Sequence, residues 1–142
     1  MPNLTGSCFC GECRFVFDGD LSDQVYHCHC SKCRTWSGGN AFRTSTTGRR
    51  CDLVWTSGEN DFAVFDYDAK LNRYFCPRCH TSLISTYPDS DLFRIGLGLF
   101  EEDLGVRPIA HIFVGSKAAW FQIPDDGLPQ YEAGPGSRLL NP

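Results

Sequence analysis

"CFCGEC" (Cys8–Cys13), "CHCSKC" (Cys28–Cys33) and "CPRC" (Cys76–Cys79) are the stretches that decide the fold, because they hold eight of the nine cysteines. A disulfide between cysteines two residues apart would close a strained and very small loop. The odd number of cysteines, and a start without a basic region followed by an apolar one, also argue against a secreted disulfide scaffold. We therefore interpret the clusters as metal ligands in a reducing compartment, and we expect a cytoplasmic protein.

Zinc is the metal that these clusters favour. Structural zinc takes four Cys or His ligands in a tetrahedron, and C-x-x-C is the usual half-site. On an extended strand, residues i and i+2 face the same way, so both sulfurs of a C-x-C reach one ion. Iron–sulfur is the competing interpretation, but the spacings do not match the ferredoxin runs. Spacing leaves open which hexapeptide partners "CPRC", and whether Cys13 is an eighth ligand that closes a second site.

The amino-acid composition limits the classes of partner that the protein can bind. The 142 residues suit one domain with a real hydrophobic core. The formal net charge is −4 and no Lys/Arg tract is present, so we expect no nucleic-acid partner. No run of about 18 apolar residues occurs, so we expect no membrane span. The oligomeric state is left open.

Short alternating segments between turn residues predict a mostly β chain. The predicted strands are Arg14–Phe17, Asp52–Ser57, Phe62–Asp68, Ser82–Tyr87, Leu92–Phe100 and Ile109–Val114, and the predicted short helices are Ser31–Ser37 and Glu101–Leu104. We expect a single metal-pinned domain over residues 1–132 and a loosely ordered Gly/Pro-rich tail over residues 133–142.

Four motifs in order carry a family resemblance: "GSCFCGECRF", "CHCSKCRTWSGG", "YFCPRCHTSL" and "HIFVGSKAAWFQIPDDGLPQYE". From about Gly6 to Glu132 the chain resembles the glutathione-dependent formaldehyde-activating enzyme family, which shares its domain with centromere protein V. The resemblance implies a single-domain, zinc-bearing, β-tent-like fold of several small coiled antiparallel sheets. It also implies two zinc ions per chain, one structural and one catalytic.

The resemblance further implies which cysteines bind which ion. The ligands of a closed structural zinc would be Cys8, Cys10, Cys76 and Cys79. The ligands of a second, open zinc would be Cys28, Cys30 and Cys33. The position of Cys13 is commonly not cysteine in the family, which makes Cys13 an extra thiol. The chain departs from the family at His80, where Gly is usual, and in "AKLNRY" (residues 69–74), where a Gly-rich segment is usual.

The implied reaction is carbon–sulfur lyase chemistry, in which glutathione and formaldehyde form S-(hydroxymethyl)glutathione. Three thiolates on Zn²⁺ leave a net charge of −1, so the centre is a weaker Lewis acid than a three-histidine site. Such a centre suits a reaction that keeps a thiol deprotonated at neutral pH. Zinc would hold the sulfur or polarise the aldehyde oxygen. The expected catalytic residues are Cys28, Cys30, Cys33 and Arg34.

Glutathione carries carboxylates, so its pocket should present cations and amide donors. The expected substrate-binding residues flank the open site in sequence: Arg34, Trp36, Gly38, Gly39 and Arg43. The Gly38-Gly39 pair equally suits a plain turn.

Histidines near the motifs are interpreted as non-ligands. His29 would point away from the metal on a strand, and His111 lies in an apolar strand as a packed, hydrogen-bonded side chain. Trp55 and Trp120 are interpreted as core aromatics.

Two other functions stay open at this stage. The same zinc could act on another small thiol, aldehyde or imine. Alternatively, the chain could be a non-catalytic, zinc-stabilised binding module, as the resemblance to centromere protein V allows, although no basic tail supports a chromatin role.

Overall fold

Ten strands and one α-helix lie in the described residues, 3–68 and 70–142, of the computed structural model. The elements are β1 (Leu4–Ser7), β2 (Arg14–Phe17), β3 (Tyr26–Cys28), α1 (Ser31–Trp36), β4 (Arg43–Arg49), β5 (Leu53–Ser57), β6 (Ala63–Asp68), β7 (Leu71–Phe75), β8 (Ser82–Thr86), β9 (Leu92–Gly96) and β10 (Ala110–Ile112). With 36% strand and 13% helix, the helix figure including four short 3-10 helices, the prediction of a mostly β fold with small sheets is confirmed. Within the described residues, no helix combines the length and apolar character that crossing a membrane requires.

The chain divides into two compact units. The first unit runs to Ser22 and includes Thr46–Val106. It contains an antiparallel sheet in the order β1-β2-β5, and the neighbouring strands β9-β8-β7-β6, with the end of β4 next to β9. Ala69, in the segment that departs from the family pattern, lies outside the described residues.

The second unit comprises Asp23–Ser45 and Arg107–Pro142. Its central strand is β3, which pairs with β10 in parallel and with the start of β4 in antiparallel register. In this register Cys28 lies opposite Ile112 on one side and Arg43 on the other. The strand that ends at the second cysteine cluster is therefore held from both edges.

The hydrophobic core of the first unit is formed by alternate residues of β2 and β9. Phe15, Phe17, Phe93 and Ile95 are almost wholly buried, because every second residue of a strand faces the same side. The rings of Phe17 and Phe93 meet edge to face, with centroids 5.6 Å apart. Burial of each such side chain stabilises the fold by roughly 1.5–3 kcal/mol.

The predicted strand Leu92–Phe100 is wrong in its second half. The strand ends at Gly96, and Leu97–Leu99 forms a 3-10 turn. The physical reason is a pairing with a distant segment, since Phe100 forms a β-bridge with Gly6. A Cβ at Gly6 would lie 2.5 Å from the carbonyl oxygen of Leu99, so this approach requires glycine.

The predicted helix Glu101–Leu104 is also wrong, because this segment is irregular. The backbone N–H of Glu101 donates to the carbonyl oxygen of Thr5 over 3.0 Å. The N–H of Thr5 in turn donates to Oε1 of Glu102 over 2.7 Å. These bonds to β1 replace the local bonds that a helix needs.

The C-terminal segment 133–142, predicted to be loosely ordered, makes hydrogen bonds within the second unit. Leu140 N donates to the carbonyl oxygen of Gln130 over 2.8 Å, and Phe113 N donates to that of Ala133 over 2.9 Å. The domain boundary after residue 132 and the assignment of a single domain stay predictions.

Candidate metal centres

Two hairpin turns of the first unit bring four cysteine sulfurs together. Cys8 and Cys10 lie in the turn between β1 and β2, and Cys76 and Cys79 lie between β7 and β8. The four Sγ atoms all lie within 4.8 Å of one another, with Cys8 and Cys10 3.6 Å apart. Zinc–sulfur bonds of about 2.3 Å in a tetrahedron place the sulfurs roughly 3.8 Å apart. The four-cysteine group therefore fits a closed zinc site.

Strand alternation, expected to bring the two sulfurs of a C-x-C together, does not apply to the first cysteine cluster. Cys8 and Cys10 lie in a turn and not on a strand, and the side chain between them, Phe9, is 94% exposed. The turn closes through Cys8 N, which donates to the carbonyl oxygen of Cys13 over 2.9 Å, and Gly11 supplies its left-handed residue with φ of 81°.

Donors point at the sulfurs of the four-cysteine group. Sγ of Cys8 accepts from Cys13 N over 3.3 Å, and Sγ of Cys76 accepts from Arg78 N over 3.4 Å. Burial raises the pKa of Cys79, but bonds from Thr81, whose Oγ1 lies 3.1 Å away, and from neighbouring groups lower this pKa to about 5 overall. Such donors stabilise thiolates, which is the form that binds zinc.

Cys13 lies beside the four-cysteine group without belonging to it. Its side chain is wholly buried and packs with Cys8, Cys76 and Leu83. Burial, reinforced by the neighbouring Cys76 and Cys8 thiols, raises the pKa of Cys13. A Cβ at Gly58 would lie 2.9 Å from its sulfur. Cys13 is thus a tightly packed thiol in the first unit.

His80 also lies outside both cysteine groups. It has a φ of 63°, and its N–H donates to the carbonyl oxygen of Cys76 over 2.9 Å. This left-handed conformation favours glycine, which is the residue that the family resemblance led us to expect at this position. The departure at His80 is therefore a matter of backbone conformation at the turn.

The second group of sulfurs is built at the junction of β3 and α1. Cys28 ends β3, Cys30 is the N-cap of α1, and Cys33 lies in its first turn. Sγ of Cys30 accepts from Cys33 N over 3.3 Å, and the three Sγ atoms lie within 4.8 Å of one another. The neighbouring Cys33 thiol, followed by burial, raises the pKa of Cys28.

The three-cysteine group therefore fits a metal ion with an incomplete set of protein ligands. Among the described residues, no His, Asp, Glu or further Cys joins it. Three protein ligands and a free position are the pattern of catalytic zinc, whereas four ligands are the pattern of structural zinc.

Two arginines that were predicted to bind the substrate lie in the same unit as the three-cysteine group. Arg34 lies in α1, and its Nη2 donates to the carbonyl oxygen of Ser116 over 3.3 Å. Its Nε is buried with no hydrogen-bond partner among the described residues. Arg43 faces Cys28 across the β3–β4 pair. Both arginines are half-buried, so they are held near the unit's surface.

The predicted Gly38-Gly39 pair follows the end of α1. The N–H of Gly38 donates to Thr35 and that of Gly39 to Arg34, and the φ values of the glycines are 86° and 95°. A Cβ at either glycine would meet nothing within 4 Å. These N–H groups are engaged in the turn, although the space above it is open. Trp36, also predicted to line the pocket, is the half-buried last residue of the helix.

Sequence reasoning missed a connected array in the second unit. Nε2 of His29 lies 2.8 Å from Nδ1 of His111, and Nε2 of His111 lies 2.7 Å from Oδ2 of Asp126. Both histidines are almost wholly buried. Burial, with the charges of neighbouring histidines and Lys117, lowers the pKa of His29 to about 4. No local pattern in the sequence indicated that Asp126 bonds to His111.

Trp120 was predicted to be a core residue, and this is wrong, since its side chain is 70% exposed. With Lys117, Phe121 and Gln130 it lines a surface cavity of about 470 Å³ in the second unit. Nζ of Lys117 donates to the carbonyl oxygen of Phe121 over 2.7 Å, which fixes the loop that presents the tryptophan.

Comparison with known proteins shows to which family the chain belongs. The model of a family described as "Glutathione-dependent formaldehyde-activating enzyme" matches residues 3–116. The chain therefore belongs to this enzyme family, and the resemblance drawn from the four motifs is confirmed. None of the curated proteins compared with the chain matches it.

A solved structure shares the fold. It is the crystal structure of a Rhodobacter sphaeroides protein determined as a structural-genomics target. The two chains are 20% identical, the match covers 73% of this chain and 91% of the other, and the TM-score is 0.57. At this identity the likeness concerns the fold alone.

Proposed function

We propose that the protein is a zinc-dependent carbon–sulfur lyase that forms and cleaves thiol–aldehyde adducts, in the manner of S-(hydroxymethyl)glutathione synthase. The observation that carries the proposal is the group of Cys28, Cys30 and Cys33, which has three sulfurs and no fourth ligand among the described residues. The family name, which joins glutathione and formaldehyde, supports the substrate class. Cytoplasmic location, and the absence of nucleic-acid and membrane partners, remain predictions.

The proposed reaction joins a thiol to an aldehyde. The sulfur forms a bond to the aldehyde carbon, the π pair of the carbonyl moves to oxygen, and that oxygen takes up the proton that the thiol loses. Cleavage reverses these steps. A zinc ion held by the three cysteines would supply a cation that keeps a thiol deprotonated or polarises an aldehyde oxygen.

We propose that the four-cysteine group holds a second zinc that acts only on stability. The sulfurs of Cys8, Cys10, Cys76 and Cys79 use all four positions of a tetrahedron, so no position is left for a substrate.

The chain's own cations would bind the carboxylates of glutathione. Arg34 uses one Nη2 donor on Ser116, and a guanidinium has further donors that suit a carboxylate. Arg43, opposite Cys28, would supply a second cation. The Gly38-Gly39 turn would contribute space and not donors, because its N–H groups are already engaged. Trp36 would contribute an apolar wall.

Two measurements on the zinc-loaded protein test this proposal. Zinc K-edge X-ray absorption, with the stoichiometry counted, should give two zinc ions and an average between three and four sulfurs per ion. Exchange NMR with glutathione and formaldehyde should then show adduct formation above the uncatalysed rate. Cys33→Ser should abolish the excess rate, while Cys51→Ser should leave it unchanged, because Cys51 is exposed and outside both groups. Four sulfurs around each zinc, or no excess rate, would refute the proposal.

A further inference from the structure

A cavity of about 400 Å³ lies within the first unit, between two groups of strands. One wall is β5, where Leu53 and Trp55 are two residues apart and therefore face the same side. The opposite wall is formed by Val64 of β6, Tyr74 of β7 and Ile84 of β8, and Val64 pairs directly with Tyr74 in the sheet. Strands of both sheets thus build the walls of this cavity.

The middle of the cavity is apolar and aromatic. The rings of Trp55 and Phe62 meet edge to face with centroids 4.6 Å apart, and the ring of Tyr74 lies 6.0 Å from that of Phe62. Ile84 and Thr86 line the cavity from β8 and are 7% and 5% exposed, so this side is almost wholly buried. Trp55 and Phe62 also pack against the buried cysteines of the first unit. The core therefore holds these walls in place, and they suit the apolar part of a ligand.

Opposite charges line the cavity from the two ends of β5. Arg50 lies in the 3-10 turn that precedes this strand, and Glu59 lies in the 3-10 turn that follows it. The N–H of Arg50 donates to the carbonyl oxygen of Asp91 over 2.7 Å, whereas the side chain of Arg49 pairs with the Asp91 carboxylate over 3.6 Å. Among the described residues, neither Arg50 nor Glu59 forms an ion pair. Both charges are therefore available to a ligand.

The length of β5 separates the two charges. The strand has five residues, and at about 3.3 Å each they place the two turns roughly 16 Å apart. The side chains of Arg50 and Glu59 reach into the cavity and shorten this gap, but they remain at its opposite ends. An α-amino acid, whose two charged groups share one carbon atom, is too short to contact both. A molecule with an apolar chain between its charged groups can contact both.

We propose that this cavity binds an elongated zwitterion whose carboxylate pairs with Arg50, whose ammonium pairs with Glu59 and whose apolar middle packs against Trp55. A guanidinium binds a carboxylate through two parallel N–H bonds, and an ammonium beside aromatic rings gains a cation–π contribution. Asn60, next to Glu59, adds an amide donor and acceptor. Aliphatic amino acids with a terminal amino group and short apolar peptides share this chemistry. No residue of the three-cysteine group takes part, so the site is independent of the proposed function.

The indole N–H resonances of the three tryptophans show where such a molecule binds. In ¹⁵N-labelled, zinc-loaded protein, Trp36→Phe and Trp120→Phe each remove one resonance, which identifies that of Trp55. The first probe is aminohexanoate with its amino group at the end of the chain. At millimolar concentration it should shift the Trp55 resonance in a saturable manner. No shift, or a shift confined to the other two tryptophans, would overturn the proposal.

Probes that differ in charge and length test the two ends of the site. Hexanoate lacks the ammonium and hexylamine lacks the carboxylate, so each should bind about tenfold more weakly than aminohexanoate. Aminobutyrate keeps both charges but is shorter, so it should also bind more weakly. The dipeptide Leu-Leu has the same end groups, and the tighter of Leu-Leu and aminohexanoate identifies a peptide or an aliphatic amino acid as the preferred class. Equal affinities for aminohexanoate, hexanoate and hexylamine would refute the role of the charges.

Charge-removing variants assign each end of the ligand. Arg50→Gln should weaken the binding of aminohexanoate and hexanoate about tenfold and leave that of hexylamine unchanged. Glu59→Gln should weaken the binding of aminohexanoate and hexylamine and leave that of hexanoate unchanged. Arg49→Gln and Asp61→Asn are the matched controls, because they remove the same charges in or beside the same turns but outside the lining. All four side chains are exposed, so the variants should fold. Controls that weaken binding as much as the two variants would overturn the assignment.

Discussion

Replacing Cys76 by serine should separate the structural from the catalytic role of zinc. Cys76 is wholly buried, and its sulfur lies 3.8 Å from that of Cys10. The same sulfur accepts hydrogen bonds from Arg78 N and Cys79 N over 3.4 and 3.5 Å. The substitution would therefore remove one ligand of the proposed structural zinc and weaken the turn between β7 and β8.

The expected loss of stability is large. Binding of structural zinc contributes roughly 10–16 kcal/mol in small zinc folds. If four ligands share this free energy, the loss of one costs about 2.5–4 kcal/mol. For a chain of this length, each kcal/mol lowers the unfolding temperature by about 2–4 °C. Cys76→Ser should thus lower the Tm by roughly 5–16 °C.

Calorimetry and metal analysis on matched samples provide the test. Cys33→Ser is the comparison variant, because Cys33 belongs to the three-cysteine group. It should lose one zinc and less than about 2 kcal/mol of unfolding free energy, as for a partly buried substitution. Cys51→Ser, outside both groups, should keep both zinc ions and its Tm. A stable Cys76→Ser beside an unfolded Cys33→Ser would show that the two roles are reversed.

Two further substitutions test residues beside the four-cysteine group. Cys13→Ala should retain both zinc ions and cost about 1 kcal/mol, because it removes only a packed, wholly buried thiol; loss of one zinc by metal analysis would instead make Cys13 a ligand. His80→Gly should raise the unfolding free energy by up to about 1 kcal/mol in denaturant titrations, because φ is 63° at this position. The exposed Arg78→Gly in the same turn is its control, and equal effects of the two substitutions would refute the backbone explanation.

The sequence predicted the elements whose signals are local. β2, β5, β6 and β8 show apolar residues in alternation or in short runs, and α1 lies within the predicted short helix Ser31–Ser37. β4 was missed because "RTSTTGR" has no apolar residue, yet Ser45 and Thr46 are buried. A Cβ at Gly48 in the same strand would lie 2.9 Å from the ring of Phe17. This strand is therefore specified by packing against distant residues, which a local pattern does not contain.

The candidate sites also include one part that the sequence predicted and one part that it did not. The two cysteine groups that the family resemblance implied are the groups that the structure brings together. The array from His29 to Asp126 was not predicted, because it depends on the β3–β10 pairing and on a turn 15 residues after His111. Side chains that are brought together by distant strands show no characteristic spacing in the sequence.

The two hexapeptides share the pattern C-x-C-x-x-C but differ in the role of their third cysteine, and the element that follows each one explains the difference. The first hexapeptide is followed by β2. Cys13 lies two residues before Phe15 and four before Phe17, so its side chain is directed to the same side as theirs, into the core. After the second comes α1, where Cys33 lies in the first turn and its N–H bonds to the capping sulfur of Cys30. The helix turns the third sulfur back toward the first two, whereas the strand turns it away. One motif therefore gives two grouped sulfurs and a packed thiol in one unit, and three grouped sulfurs in the other.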